Sequence, residues 1–278
     1  MIILVIWKYR IDKKGKPTFD TIINNISKIE NLKYVGCAAT LTDEVFSLND
    51  SIDYLSKYFE TISYRPVRGN QFISESAVDK LIIEYDKLAV RLINDIYSND
   101  LRIFYCLMNG DDYFGRYLNK AFGNQITINR CDSSIARFTI DVDGKIYGCP
   151  ASSMYEKLSI DELSKKTSFI ELKKQAYTCT ECDFKYYCGG ECAIELLENK
   201  GLVKKHICKF KKHLILLANL IKCIATKINP SLADELEQFS NNKLKRNRKN
   251  EKLDLFLKEN PDLSFSEGKS LFDKISTK

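Results

Sequence analysis

Four cysteines stand at positions 179, 182, 188 and 192, inside the stretch CTECDFKYYCGGEC, and three more, Cys131, Cys149 and Cys208, flank it. A thiolate is a nucleophile, a redox partner or a soft metal ligand, and spacing decides among these roles. Two thiolates separated by two residues, as in Cys179 and Cys182, turn back on one ion or cluster edge while the intervening N–H groups point at sulfur. Gly189 and Gly190 let the backbone between Cys188 and Cys192 approach closely and take positive φ. Phe184, Tyr186 and Tyr187 supply an apolar shell that limits solvent and tunes a metal site. The N-terminus MIILVIWKYR has no basic region before its apolar run and no small-residue cleavage site, so the expectation is a cytoplasmic chain. In a reducing compartment such clustered cysteines are metal ligands or catalytic thiols rather than disulfides.

The elements that must position these thiols follow from periodicity. Phe19, Ile22, Ile23, Ile26 and Ile29 recur at helical spacing after Pro17, and Tyr34 to Leu41 reads as a strand. Ile52, Leu55, Tyr58 and Phe59 mark a second helix, and Thr61 to Val67 a second strand. Helix, strand, helix, strand is a parallel α/β pattern, but two strands make an incomplete unit because a parallel sheet is covered on both faces. Ser74 to Tyr97 is helical, with Ser76 and Asp79 in capping-box positions. Leu101 to Leu107 reads as a short strand and Tyr113 to Phe122 as a helix. In ARFTIDVDGKIYGCP, Phe138, Ile140 and Val142 alternate, the chain turns at Asp143-Gly144, and a second strand delivers Cys149. Ile207, Phe210, Leu214, Leu217, Ile221, Ile224 and Ile228 form the stripe of one long helix ended by Pro230. Beyond it the chain reads as a solvated basic tail. Six basic residues and one acid between Lys243 and Lys252 give +5 of the net +6, so the body carries no spread of positive charge suited to nucleic acid. No membrane span is expected.

Seven cysteines exceed what one four-ligand centre uses, so two metal centres are the economical reading. In order the series is Cys131-x12-Gly144-x4-Cys149, a gap, Cys179-x2-Cys182-x5-Cys188-x3-Cys192, then fifteen residues and Cys208. This series, with its intercalated glycine, resembles the SPASM domain at the C-terminus of radical S-adenosylmethionine enzymes. The resemblance extends upstream, where the helix and strand units up to SYRPV look like the end of a radical SAM partial barrel. It implies an α/β fold class, the C-terminal fragment of a partial (β/α) barrel followed by a small cysteine-rich SPASM module with a β-hairpin and helices. The implied divisions are a barrel remnant over 1–73, a helical bridge over 74–128, the SPASM domain over 129–226 and the basic tail over 227–278.

The resemblance also implies two auxiliary four-iron four-sulfur (4Fe4S) clusters, one held by Cys179, Cys182, Cys188 and Cys208, the other by Cys131, Cys149 and Cys192. The second set is one ligand short: where some relatives have a thiol six residues before the first cysteine, Gln125 stands. Cys106 from a distance, or solvent or a substrate group, are the alternatives. The family's catalytic triplet Cys-x3-Cys-x2-Cys does not occur, since Glu195 holds the third position after Cys188 and Cys192. Ala38 stands where many relatives have an arginine. The expectation is therefore a chain that enters the barrel late, binds S-adenosylmethionine only with a complementary barrel half, and starts no radical alone. Implied partners are a peptide or small-protein substrate and an upstream radical SAM half. Two other functions stay open: a stand-alone iron-sulfur electron carrier, and a zinc scaffold closed by Cys208 or His206, which explains four ligands but not the register of Cys131, Gly144 and Cys149. His206 and His213 read as surface residues, Cys37 and Cys223 as small core residues, and Arg65 as a strand-end ion pair.

Overall fold

A computed structural model of the chain describes residues 11–26, 28, 35–44, 47–67, 73–110, 112–127, 131, 138–160, 179 and 181–248, with backbone alone at 157 and 243–248. Helix α1 (Phe19–Ile26), strand β1 (Gly36–Leu41), helix α2 (Leu48–Leu55) and strand β2 (Thr61–Pro66) follow the expected order. The strands pair in parallel, from Gly36 opposite Thr61 to Leu41 opposite Pro66. Ser47 starts α2 by accepting the Asp50 N–H on its Oγ at 3.2 Å. On β2, Ile62, Ser63 and Tyr64 are all buried, as a strand covered on both faces requires. On β1 only Leu41 is buried, while Gly36, Ala38 and Thr40 share an exposed face.

Helix α3 (Glu75–Ser98) is capped by Ser74, whose Oγ accepts the Ala77 N–H at 3.2 Å. This corrects the expected box: Ser76 lies inside the first turn, and the Asp79 carboxylate meets Lys209 at 2.8 Å. Asn99, with φ 59°, ends the helix in the left-handed region. The expected strand over Leu101 to Leu107 is instead helix α4 (Arg102–Met108). Its buried residues are Ile103, Phe104, Cys106, Leu107 and Met108, and the helix packs against β2 and α5 (Tyr113–Phe122).

A two-residue ladder, β3 (Thr139–Ile140) against β4 (Ile146–Tyr147), forms the expected hairpin. Asp141 organises its turn by accepting the Asp143 and Lys145 N–H groups, both at 2.9 Å, and Gly144 takes φ 80°. Phe138, Ile140 and Val142 are exposed, so the alternating apolar face covers nothing among the described residues. Strand β4 stops at Tyr147, and Cys149 opens a short 3-10 turn, Pro150–Met154, rather than riding on the strand. Downstream lie α6 (Lys185–Cys188), α7 (Ala193–Glu198), α8 (Lys205–Ile228) and α9 (Pro230–Arg248).

Helix α8 packs along α3 and α5, and α9 packs back on α8 and α5. The expected tail is thus helical through Arg248, with Pro230 as its first residue, a position where proline's missing N–H costs nothing. Leu232, Ala233 and Leu236 are buried in the same core as Ile62, Leu88, Phe104, Phe122 and Phe210. Cys223 lies exposed rather than in that core, two residues past the buried Ile221 and so well round the helix from it. The described residues are mixed α/β, mostly helical with two small sheets. No helix among the described residues is long and apolar enough to cross a membrane.

Candidate functional site

At Cys179 and from Glu181 to Cys192 the backbone forms successive tight turns. The Cys182 N–H donates to the Cys179 carbonyl at 3.1 Å, and the Lys185 N–H to the Cys182 carbonyl at 3.0 Å. Helix α6 then makes a single turn, closed by Gly189 at φ 73° and followed by Gly190 at φ 86°. A side chain at either glycine would strain this left-handed pair. The Cys188 Sγ lies 3.6 Å from the Gly190 carbonyl that these angles present to it.

Three contacts pin the turns to the helical body. Lys120 Nζ donates to the Tyr187 carbonyl at 2.7 Å, the Thr127 N–H donates to the Tyr186 carbonyl at 2.6 Å, and Lys212 Nζ lies over the Phe184 ring. Phe184, Tyr187 and Cys188 pack against the main core. Cys208 comes from the first turn of α8.

Burial pushes the Cys179 thiol up, and the charges of Cys182, Cys188, Cys208 and Glu191 push it further. Burial also raises Cys208, with Cys188 and Cys182 adding to the rise and Lys212 and Lys211 opposing it. Four thiols that span thirty residues of sequence therefore share one electrostatic neighbourhood, and all are free. Among the described residues no three His, Cys, Asp or Glu side chains converge closely enough to hold a metal ion as they stand. In donor chemistry the set nonetheless fits an iron-sulfur cluster or zinc, since both take four thiolates.

The other three predicted ligands are placed differently. Cys149 and Cys192 both pack against a small apolar cluster of Leu158, Ala193 and Ile194, apart from the main core. Ser152, fully buried, ties the Cys149 backbone by accepting its N–H at 3.0 Å and donating to its carbonyl at 2.7 Å. Cys131 is exposed. Cys106 belongs to the main core: its thiol donates to the Phe59 carbonyl at 3.9 Å, and burial pushes its pKa up to about 11, with Cys37 nearby. That environment does not favour a thiolate ligand.

Among the described residues two buried nitrogens lack a hydrogen-bond partner, Gln125 Nε2 and His206 Nε2. His206 is half-buried, not a surface residue. His213 Nε2 meets Asp86 Oδ1 at 2.7 Å on the outer seam of α8 and α3. Arg65 is exposed at the end of β2, where its charge acts on Asp112.

Sequence reading missed the basic and acidic groups between the two cysteine sets. Lys211 Nζ binds both oxygens of Glu191, at 2.7 and 2.8 Å, and the Cys192 N–H donates to Glu191 Oε1 at 3.0 Å. A signal was present: Lys211 stands in the apolar stripe of α8 between Ile207 and Leu214, and a lysine there needs a buried partner. No known protein family, no curated protein and no solved structure matches this chain.

Proposed function

We propose that this chain is an iron-sulfur-binding protein of the SPASM type, the auxiliary-cluster half of a radical SAM enzyme that modifies a peptide or small protein. The observation that carries the reading is the shared neighbourhood of Cys179, Cys182, Cys188 and Cys208, the four positions that the resemblance assigns to one cluster. Cys149 and Cys192 beside one apolar cluster give further support, since the resemblance assigns both to the second site. A bound four-iron cluster supplies one-electron transfer or an open iron for a substrate group. The chain's own part is to hold thiols on tight turns, exclude water with Phe184 and Tyr187, and fix Cys208 on a rigid helix. Radical initiation then falls to a partner that carries Cys-x3-Cys-x2-Cys.

Anaerobic reconstitution with iron and sulfide tests the reading. The expected product is brown, with sulfur-to-iron absorption and iron and sulfide in equal amounts. Replacing Cys182 by Ala removes the first cluster, and replacing Cys149 by Ala removes the second. A protein that takes up zinc and no sulfide overturns the reading in favour of the zinc scaffold. A cluster that cycles reversibly but supports no peptide modification with any triplet-bearing partner favours the electron carrier.

A further inference from the structure

The Glu191–Lys211 pair is buried: the side chains are 8% and 3% exposed. Its two ends belong to different parts of the cysteine series. Glu191 precedes Cys192 and accepts that residue's N–H, while Lys211 follows Cys208 by three positions, nearly one turn along α8. The Lys211 ammonium also lies 5.2 Å from the Tyr113 ring centre on α5. We propose that this ion pair is the positioning element of the site, docking the Gly189–Cys192 segment onto α8 and setting the charge between the two cysteine sets.

Buried ions persist only when paired and hydrogen-bonded, and both oxygens of Glu191 are used here. One ammonium shared by both carboxylate oxygens ties Glu191, and with it the Gly189–Cys192 segment, to the helix that carries Cys208. The pair is offered as a positioning element, not as a ligand. The pair also places opposite charges at the two ends of this link, the carboxylate beside the Cys192 N–H and the ammonium three residues past Cys208 on α8.

The inference rests on the proposed function for its electrochemical arm and is independent of it for the other. The first measurement is the alkylation rate of Cys188, Cys192 and Cys208 in the metal-free full chain at one fixed pH, followed by mass spectrometry. Glu191→Gln and Lys211→Met are each expected to raise the Cys192 rate at least about tenfold over wild type, with circular dichroism unchanged. The second is the reduction potential of the reconstituted chain. Glu191→Gln leaves a cation beside the thiolates and raises the potential; Lys211→Met leaves an anion and lowers it.

Unchanged alkylation in both variants, or potential shifts of the same sign, overturn the proposal. If Lys211→Met fails to fold, Glu191→Gln, which keeps side-chain shape, decides both arms. If wild type takes up no iron, the proposed function falls, and the alkylation arm alone decides the positioning role.

Discussion

Asp112 accepts the Tyr64 N–H on one oxygen at 2.8 Å and the Gly115 N–H on the other at 2.6 Å, so one carboxylate caps α5 and ties it to β2. Burial pushes its pKa up to about 6, against the pull of those two donors and of Arg116 and Arg65. The folded state thus holds the Asp112 proton more tightly than the unfolded chain does. The sign follows: this contribution to stability is full below the ordinary carboxylate value and is lost as pH rises through about 6. At 1.36 kcal/mol per unit, ionisation of Asp112 costs roughly 3 kcal/mol by neutral pH. Asp112→Asn is expected to flatten the wild-type slope between pH 4 and about 6 in urea titrations, and to lose about 1–2 kcal/mol at acid pH because its NH2 must face one of the two N–H donors. An unchanged slope sinks the assignment. The cysteine series was legible at this scale because the spacing of residues is a property of the chain. Asp112, Glu191 and Lys211 were not, because each acts on a residue brought to it by the fold.

Element by element, the parallel pair and the hairpin turn stand where periodicity and turn residues put them, while α2 ends at Leu55, short of the Tyr58 and Phe59 read on its face, and Ile29, read on the first helix, lies outside the described residues. The misreading of α4 has a simple cause: the run from Leu101 to Met108 is apolar almost throughout, and an apolar run has no period to read. What selects the helix is tertiary. Gly110 and Gly115 let α4 and α5 close on β2 and on each other, since a Cβ at Gly115 would sit 2.1 Å from the Leu107 carbonyl oxygen and one at Gly110 2.6 Å from that of Ile62. In an open helix Gly→Ala gains about 1 kcal/mol of propensity. At Gly115 the backbone clash wins, and Gly115→Ala is expected to destabilise by about 1–3 kcal/mol in chemical denaturation. Gly144→Ala meets no atom within 4 Å and is expected to lose only about 1–2 kcal/mol, from its φ of 80°. If the Gly115 variant is as stable as wild type, the close approach of α4 and α5 does not exist in solution.

Among the described residues the main core runs from Phe19 of α1 through β2 and α3 to Phe210 of α8 and Leu236 of α9, and the cysteine-bearing turns lean on it through Phe184 and Tyr187. The last part of that core was the least legible in the sequence. Charge is prominent in the composition after Pro230, and the core-facing Leu232, Ala233, Leu236 and Phe239 make too short a stripe to stand out. Three polar contacts reinforce them: Tyr105 bonds to Glu235, Ser240 Oγ donates to Asn119 Oδ1 at 3.1 Å, and the Asn119 amide in turn donates to the Met108 carbonyl at 2.6 Å. Helix α9 is therefore a structural part of the body, and its loss must be felt at a distance, because α9 lies against α5 and α8 and these two carry the anchors of the cysteine turns, Lys120 and Lys212. Leu236→Ala, at a fully buried site, is expected to cost about 2–5 kcal/mol, and truncation after Asn229 more than that, since the full apolar stripe and Ser240 go together. A tail that merely hangs in solvent predicts no change in melting temperature for either variant. The same two proteins test the link to the site: with α9 removed, alkylation of Cys188 in the metal-free chain should quicken along with the loss of stability, and a Cys188 rate that stays at the wild-type value would separate the tail helix from the cysteine turns.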